Sequence, residues 1–375
     1  MTNPEFRISN FEFRISNASE THGLPGSPEF STLGFRFSFG YFGVSSLARD
    51  FERVKMAGEP GPTMAERLEQ RLALSTCWNS HRHEDGYAML AEIRELGFER
   101  VELSHGISAY LVPGILQACE EGLVRVDSVH NFCPLPSIVR HAAPNLFQPS
   151  SKRGEEQRAW LRYSRQTLEF AAQVGASHVV MHSGSIAFRF RSPAPILSRH
   201  ESADPDTDRP GARDKALRRL ERAAQRAIPR VRDRYAELLP DAREHDLVLA
   251  VENREGVLEL PLDSEFSEFI GAFDDPHVAP WIDTGHAEIK RRLGLLDYWT
   301  LLEKISDSLA GFHLHDVDGE GRDHQPIGTG TIDFRRLGKH LREHHLLVVE
   351  LSPRLGADEV VRSREALLEC FSGNG

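Results

Sequence analysis

The stretch 247–253 reads LVLAVEN, an apolar run that passes directly into Glu252 and Asn253. Three later stretches have the same form, each ending in acidic or imidazole side chains: PWIDTGH at 280–286, GFHLHD at 311–316 and LLVVE at 346–350. Short apolar runs bounded by polar residues are typical of buried strands. The sequence therefore predicts four strands whose carboxyl ends carry Glu252, Asp283, His313 and Glu350.

The spacing of these four side chains fits a repeating unit. Glu252 and Asp283 lie 31 positions apart, Asp283 and His313 lie 30 apart, and His313 and Glu350 lie 37 apart. Each interval has room for one helix followed by one strand. Such an alternation is the sequence pattern of parallel βαβ units.

The alternation begins near Leu72. Strands are predicted at 72–78, 100–104, 124–130, 178–182, 247–252, 278–283, 311–315 and 346–351. Helices are predicted at 86–96, 112–121, 155–174, 213–234, 264–273, 296–309, 333–344 and 357–371. Eight such repeats over about 300 residues close most naturally into a (β/α)8 TIM barrel, whose sites form where strands end. The competing doubly wound sheet would need a G-x-G-x-x-G turn after an early strand, and the sequence contains none.

The N-terminal segment differs from the rest of the chain. Residues 4–10 read PEFRISN and residues 11–17 read FEFRISN, and a Gly/Ser/Phe-rich stretch follows. Two copies of a heptad are too few for a coiled coil. We expect residues 1–62 to be a loosely attached extension, with a partner-binding arm as the alternative, and residues 63–375 to form the barrel.

Composition and charge restrict the function. Of 375 residues, 40% are hydrophobic, which is enough for a large core. No apolar run approaches the roughly 18 residues of a membrane span, and the four cysteines form no C-x-x-C pair; we therefore expect a cytoplasmic protein without a membrane partner. A net charge of −11 argues against nucleic acid as partner. The arginine-rich run 213–234 is expected to be a solvated helix face.

Three carboxylates and one imidazole form a ligand set for a metal. If the last four strands are neighbours, their ends converge at one rim of the barrel. Such a set suits one divalent ion, Mn²⁺, Mg²⁺, Co²⁺ or Zn²⁺, with positions left open for substrate oxygens.

These segments resemble the xylose isomerase-like barrel superfamily. The matching motifs are Glu252-Asn253-x-x-Gly256, Asp283-Thr284-x-His286, His313-x-x-Asp316 and Glu350. The superfamily includes sugar phosphate isomerases and epimerases, 2-keto-inositol dehydratases and endonuclease IV. The resemblance extends over 72–371 and implies that Glu252, Asp283, His313 and Glu350 are the metal ligands. For the epimerase branch it also implies that Glu252 and Glu350 exchange a carbon-bound proton of a ketose.

The expected function is thus a metal-dependent isomerase or epimerase of a sugar, sugar phosphate or polyol, working through an enediolate. A dehydratase or lyase using the same metal site, an endonuclease IV-like zinc phosphodiesterase and a binding protein without turnover are the alternatives. The expected partner is a small sugar or polyol. A homodimer formed through the proline-bearing segment 134–151 is a further expectation.

Several other side chains are predicted to bind substrate. His130, His182 and His286 lie at or just beyond predicted strand ends. In endonuclease IV-like members an Asp-x-His pair follows the seventh strand, whereas this chain has Arg322 before His324. Arg322 therefore disfavours a third metal and suits a sugar hydroxyl or phosphate, unless Asp323 compensates by a shift of one residue.

The remaining polar residues near strand ends have weaker signals. His315 is expected to face the helical layer rather than the site. Glu102, His105, His81 and His83 are candidates for the mouth of the barrel, where surface loops also collect such residues. The glycines of 326–334, PIGTGTIDF, are interpreted as a connection into the next helix rather than a phosphate-binding loop.

Overall fold

Eight short strands form the centre of the structure, a computed structural model that describes residues 64–139, 141–199 and 211–372. The strands are β1 Leu72–Ser75, β2 Arg100–Leu103, β3 Arg125–His130, β4 His178–Met181, β5 Val248–Glu252, β6 Val278–Asp283, β7 Gly311–Leu314 and β8 Leu346–Val349. Each strand pairs in parallel with the next, and β8 pairs with β1. The predicted (β/α)8 TIM barrel is confirmed.

Helices follow the strands and cover the barrel. They are α1 Met64–Glu69, α2 Gly86–Glu95, α3 Val112–Glu120, α4 Gly154–Gln173, α5 Ala194–Leu197, α6 Ala212–Glu244, α7 Phe266–Gly271, α8 Thr284–Arg292, α9 Tyr298–Ile305, α10 Phe334–Gly338 and α11 Ala357–Ser372. None of these helices is long and apolar enough to cross a membrane. The predicted extension at 1–62 lies outside the described residues, and the homodimer stays a prediction.

Strand residues alternate between the interior of the barrel and the surrounding helices. The interior cluster consists mainly of small side chains around one tryptophan: Ala73, Val180, Ala250, Trp281, Ala310 and Val348. Neighbouring positions such as Leu249 and Val251 join the larger outer core instead. Since side chains in a strand alternate with period two, Glu252 shares the interior face with Ala250, and Asp283 shares it with Trp281. This phase directs both carboxylates inward.

Glycine makes room for the tryptophan. A Cβ at Gly311 would lie 2.6 Å from the Trp281 ring. The indole is fully buried, and its ring centre lies 5.0 Å from that of His313. Trp281 thus fills the barrel directly beside the histidine of β7.

Three helices, α1, α5 and α8, were not expected, and α8 is the one at the candidate site. Helix α8 begins immediately after β6, and the Asp283 carboxylate caps it by accepting a hydrogen bond from the His286 amide at 2.7 Å. Its sequence, TGHAEIKRR, lacks a regular apolar face, so periodicity alone does not reveal it. The helix predicted at 296–309 is shorter, and α10 covers only the start of the segment predicted at 333–344.

A buried histidine just before β8, at the opposite end of this strand from Glu350, predicts a pH dependence of stability. His345 Nε2 donates to the Ser306 carbonyl at 2.7 Å, and its Nδ1 accepts from the Arg342 amide at 3.1 Å. Burial lowers the pKa of His345 from 6.5 to about 4. Between these values the unfolded chain binds more protons than the folded one, so the free energy of unfolding falls as the pH drops through this window.

We expect His345→Gln to make this loss of stability less steep, because one such shift contributes on the order of 3 kcal/mol across the window. Urea denaturation at pH 7.5 and pH 5 measures it, and the comparison is of the pH difference rather than of absolute stability. His344→Gln, on the exposed neighbouring side chain, is the control. Equal pH differences in both variants and the parent chain would contradict the assignment.

Candidate metal centre

Four side chains meet at the carboxyl ends of β5 to β8. Glu252, Asp283, His313 and Glu350 each offer one ligand atom, and these atoms all lie within 4.8 Å of one another. All four residues are buried. The structure therefore brings together the four residues predicted as metal ligands.

His313 lies at the centre of the cluster. Its Nδ1 is 2.9 Å from Glu252 Oε1, 3.1 Å from Glu350 Oε2 and 3.8 Å from Asp283 Oδ2. Its Nε2 is 3.1 Å from Glu102 Oε2 on the opposite side of the ring. Three carboxylates thus approach one nitrogen and a fourth approaches the other.

Glu102 is more than the mouth residue suggested by its position in the chain. It is fully buried inside the barrel, where Ser75 and Ser128 donate to its two oxygens at 3.1 and 2.8 Å. A carboxylate on the far nitrogen of a histidine fixes the orientation of the ring and makes it a better ligand. An acidic residue within the short strand RVEL, at 100–103, was the available sequence signal.

The carboxylates are held in their ionised form. Burial raises the pKa of Glu252, but Arg254 and His182 outweigh it and bring the pKa well below its usual range. Burial likewise acts against ionisation of Glu350, whose pKa His313 and His324 nevertheless hold well below the usual range. For His313 burial lowers the pKa, and the carboxylates of Glu350 and Glu102 raise it well above 6.5. A protonated imidazole therefore balances charge that a divalent cation would otherwise balance.

The donor set fits a divalent metal ion. Three ionised carboxylates and an imidazole whose Nδ1 faces them supply hard oxygen ligands and one nitrogen. Buried carboxylates are costly unless paired with a cation or well hydrogen-bonded. The residues Glu252, Asp283, His313 and Glu350 would hold the ion.

Three histidines line the site on the side of β3 and β4. His182 Nε2 lies 2.9 Å from Glu252 Oε2. The His130 ring packs edge-on against both His182 and His105, with centres 4.7 Å apart in each case. Burial lowers the pKa of His105 to about 4. Within the described part of the chain, the buried His105 Nδ1 has no hydrogen-bond partner.

Two further histidines lie on the side of β6 to β8. His286 Nδ1 is 3.1 Å from the Asn253 carbonyl oxygen, and this ring groups with Glu255 and Asp323 within 4.8 Å. His324 Nδ1 lies 3.1 Å from Asp323 Oδ1, and its Nε2 lies 3.8 Å from Glu350 Oε2. Asp323 thus lies among candidate ligand atoms, as the suggested shift of one residue would require.

The expected position of His315 is wrong. Its Nε2 lies 3.0 Å from Asp283 Oδ2, and its ring stacks on His324 with centres 4.2 Å apart. His315 lies two positions after His313, and side chains two positions apart along a strand point to the same face, so the expectation had the wrong strand phase. Gly285 leaves room for the ring, because a Cβ there would lie 2.1 Å from His315 Cε1.

Two arginines differ from expectation. The Arg322 side chain is 69% exposed at the rim, and its Nε donates to Asp318 at 2.6 Å, so it is not brought to the metal ligands. Arg254, which the sequence reading did not single out, is buried and pairs with both Glu252 and Glu259. It lies two residues after Glu252, so the alternation of strand residues was the signal that could have identified it.

The glycine-rich segment 326–334 does not present free amides to a phosphate. Asp316 Oδ2 accepts from the amides of Gly328 and Gly330 at 3.0 and 2.9 Å, and its Oδ1 accepts from Ile332 at 3.1 Å. The interpretation of this segment as a connection is therefore supported.

His81 and His83 lie away from the cluster. His83 pairs with Glu92, and neither histidine lines the cavity above the four clustered residues.

A cavity of about 550 Å³ opens above the cluster. Glu252 and Glu350 line it, together with His105, His130, His182, His286, His324 and Arg254. Its volume lies within the range usual for small-molecule sites. Polar and ionisable groups converge on this cavity from β3 to β8.

Fold and site together define a TIM barrel with a buried acidic and imidazole centre at the carboxyl ends of its strands. The family model of the xylose isomerase-like TIM barrel matches residues 90–369, and the chain belongs to this family. No curated protein sequence matches the chain.

Solved structures share the fold. The 3-keto-D-glucoside 4-epimerase YcjR from E. coli is 19% identical, with a TM-score of 0.57 over 80% of this chain and 99% of that one. A putative xylose isomerase from Rhodospirillum rubrum is 16% identical, with a TM-score of 0.58 over 82% and 99%. The IolI protein with a bound zinc atom is 13% identical, with a TM-score of 0.54 over 81% and 99%. At these identities the likeness establishes the fold.

The contact between Glu102 and His313 predicts a loss of metal affinity on mutation. We expect Glu102→Gln to weaken Mn²⁺ binding by about 10- to 100-fold, because the ring loses its orienting charge. Titration followed by calorimetry measures it. Glu99→Gln, at an exposed glutamate just before β2, is the control. Unchanged affinity in Glu102→Gln would show that this carboxylate does not support the centre.

Proposed function

We propose that the protein is a divalent-metal-dependent isomerase or epimerase acting on a sugar, sugar phosphate or polyol. Glu252, Asp283, His313 and Glu350 are the proposed metal ligands, and Glu252 and Glu350 the proposed catalytic residues. The family and the sugar epimerases and isomerases among its structural neighbours support this class of reaction.

One observation carries the proposal. Of the four clustered residues, Glu252 and Glu350 line the cavity, whereas Asp283 and His313 do not. The two glutamates contact His313 Nδ1 through Glu252 Oε1 and Glu350 Oε2. They are therefore the two ligands positioned to contact a substrate as well.

The chemistry requires a base beside an acidified C–H bond. A bound divalent ion would supply a Lewis acid that polarises a carbonyl and its neighbouring hydroxyl. One of the two glutamates then removes the proton from the carbon between them, which gives an enediolate. Delivery of a proton by the other glutamate from the opposite face inverts that carbon, and delivery to the neighbouring carbon isomerises the sugar.

The surroundings of the two glutamates differ. Glu252 is held between His182 and Arg254, so its oxygens are fixed in position. Glu350 faces His324 Nε2 at 3.8 Å, and His324 is half-buried at the edge of the cavity. Glu350 therefore has the more open path by which a proton can pass between solvent and substrate.

Substrate hydroxyls would meet the imidazoles of the cavity. His130, His182, His286 and His324 are the proposed binding residues, and the unpartnered Nδ1 of His105 adds a fifth contact. Arg322 also lines the outer cavity, where it would meet only the distal end of a ligand. Alternating donors and acceptors of this kind suit a polyhydroxylated molecule.

The two-glutamate mechanism predicts the behaviour of Glu350→Gln. We expect this variant to retain much of the Mn²⁺ affinity, since three ligands remain, and to lose the incorporation of solvent deuterium into a bound ketose. The exchange is followed by NMR in D₂O with D-tagatose, D-psicose and L-ribulose. Glu343→Gln, on the exposed surface, is the control. Undiminished exchange in Glu350→Gln would rule out the role of Glu350.

A zinc phosphodiesterase of the endonuclease IV type is the second candidate. It is favoured by three further groupings of ligand atoms within 4.8 Å: His130, His182 and Glu252; His315, His324 and Glu350; and Glu255, His286 and Asp323. Against it stands Arg254, whose guanidinium pairs with Glu252 Oε2, the same oxygen that His182 approaches. A metal in the first grouping would have to displace this buried cation.

Metal content separates the two candidates. The arginine on Glu252 leads us to expect about one ion per chain after saturation with zinc and removal of excess, whereas the phosphodiesterase requires about three. Inductively coupled plasma mass spectrometry on the full chain measures the ratio. Glu252→Ala, which removes a ligand shared by two groupings, is the comparison variant. A ratio near three in the parent chain would favour the phosphodiesterase.

A further inference from the structure

A second and larger cavity is lined by the segments that follow β3 and β4 and by helix α6. Its volume is about 820 Å³, and six basic side chains line it: Lys152, Arg153, Arg189, Arg219, Arg226 and Arg230. The single acidic residue of its lining is Glu156. We call this cavity the basic groove. It is unusual in a chain whose net charge is −11.

Three parts of the fold form the groove. The first is the segment 150–153 that leads into the amino end of the 20-residue helix α4. The second is the loop 185–190 after β4, which Ser185 joins to Ser150 by a hydrogen bond at 2.7 Å, and the third is helix α6. Because the amino end of a helix carries partial positive charge, α4 adds to the field of the six cations.

Helix α6 is shaped for this role. Arg219, Arg226 and Arg230 project from one face, while Ala223 and Ala227 between them leave space. Arg226 and Arg230 are four residues apart, a spacing at which like charges repel on a helix. The expectation of a simple solvated face for 213–234 does not account for this pattern.

The two half-buried arginines are fixed but not neutralised. Arg230 donates to the Ser150 carbonyl at 3.2 Å and to the Arg226 carbonyl at 2.9 Å. Arg219 donates to the Phe190 carbonyl and lies over the Phe188 ring at 5.2 Å. None of the six basic residues forms an ion pair within the ranges that the structure describes, and Glu156 accepts instead from Ser151. The groove therefore holds an excess of positive charge over the single Glu156, and two of its six cations, Arg219 and Arg230, are held in fixed positions.

We propose that the basic groove binds a small phosphate-bearing molecule. Arginine forks favour phosphate oxygens, and preorganised donors lower the cost of binding. The exposed Phe190 ring, 71% accessible, offers an apolar surface for a ring or chain attached to the phosphate. The volume fits a small molecule, and the acidic surface as a whole disfavours a long polyanion.

Short stretches of the chain connect the groove to the cavity above the cluster. Ser185 lines the groove and follows His182 by three residues. Gln148 also lines the groove, and it belongs to the same connection between β3 and α4 as Asn145, whose Oδ1 contacts His182 Nδ1 at 3.0 Å. The phosphate has two sources, the distal end of a phosphorylated substrate or a separate ligand. Both share the same recognition chemistry.

Calorimetric titration of the full chain with pyrophosphate, without added metal, tests the proposal independently of any reaction. We expect saturable binding, and a loss on the order of tenfold or more in Arg226→Glu, on helix α6, and in Arg189→Glu, on the loop after β4. Arg222→Glu is the matched control, because Arg222 is exposed on the same helix but does not line the groove. Circular dichroism verifies that all variants are folded.

The two sources are distinguished by titrating D-fructose and D-fructose 6-phosphate into the parent chain and Arg226→Glu. If Arg226→Glu weakens the binding of D-fructose 6-phosphate but not of D-fructose, the groove binds the phosphate of a substrate. If the parent chain binds the sugar and pyrophosphate at the same time, the groove binds a separate ligand. Absence of saturable pyrophosphate binding, or equal losses in Arg222→Glu and Arg226→Glu, would overturn the proposal. Binding only of oligonucleotides, tighter with length, would replace it with a nucleic-acid surface.

Discussion

Four buried carboxylates surround the ring of His313, three at one nitrogen and one at the other. Such a concentration of negative charge would oppose folding if the groups were not paired, because burial disfavours ionised carboxylates. The imidazole, Arg254 and His182 provide the compensating partners. Asp283 gains a further partner from the cap that it forms on α8, where its carboxylate accepts from the His286 amide.

The repeating pattern of strand and helix was readable from the chain because each buried strand ends in a polar residue. Strand β6 was predicted with its observed bounds, and the strand carrying Glu252 differs by one residue. The closed parallel barrel then makes the convergence of the four residues a matter of geometry. The fold and the central cluster were therefore largely predictable.

The remaining parts of the site depend on contacts that periodicity does not encode. Glu102 belongs to β2 and reaches His313 across the barrel, and no spacing within the sequence links them. Arg254 stands at a position that the motif Glu252-Asn253-x-x-Gly256 leaves unspecified. His315 is a different case, because its spacing of two residues from His313 does encode a position on the same face of the strand, and the expected side was wrong. Helix α8 has no regular apolar face, so only the capping hydrogen bond of Asp283 reveals where the helix begins.

Trp281, which lies beside His313 and against Gly311, determines from which side small molecules can reach the cluster. The indole is fully buried among small interior residues, and it closes the channel that a ring of eight strands would otherwise leave. Among the described residues, access to the cluster therefore runs through the cavity at the rim where the strands end, and not through the barrel interior. An ion bound at the cluster would then lie beneath any molecule that occupies the cavity, so the two would share one route in and out.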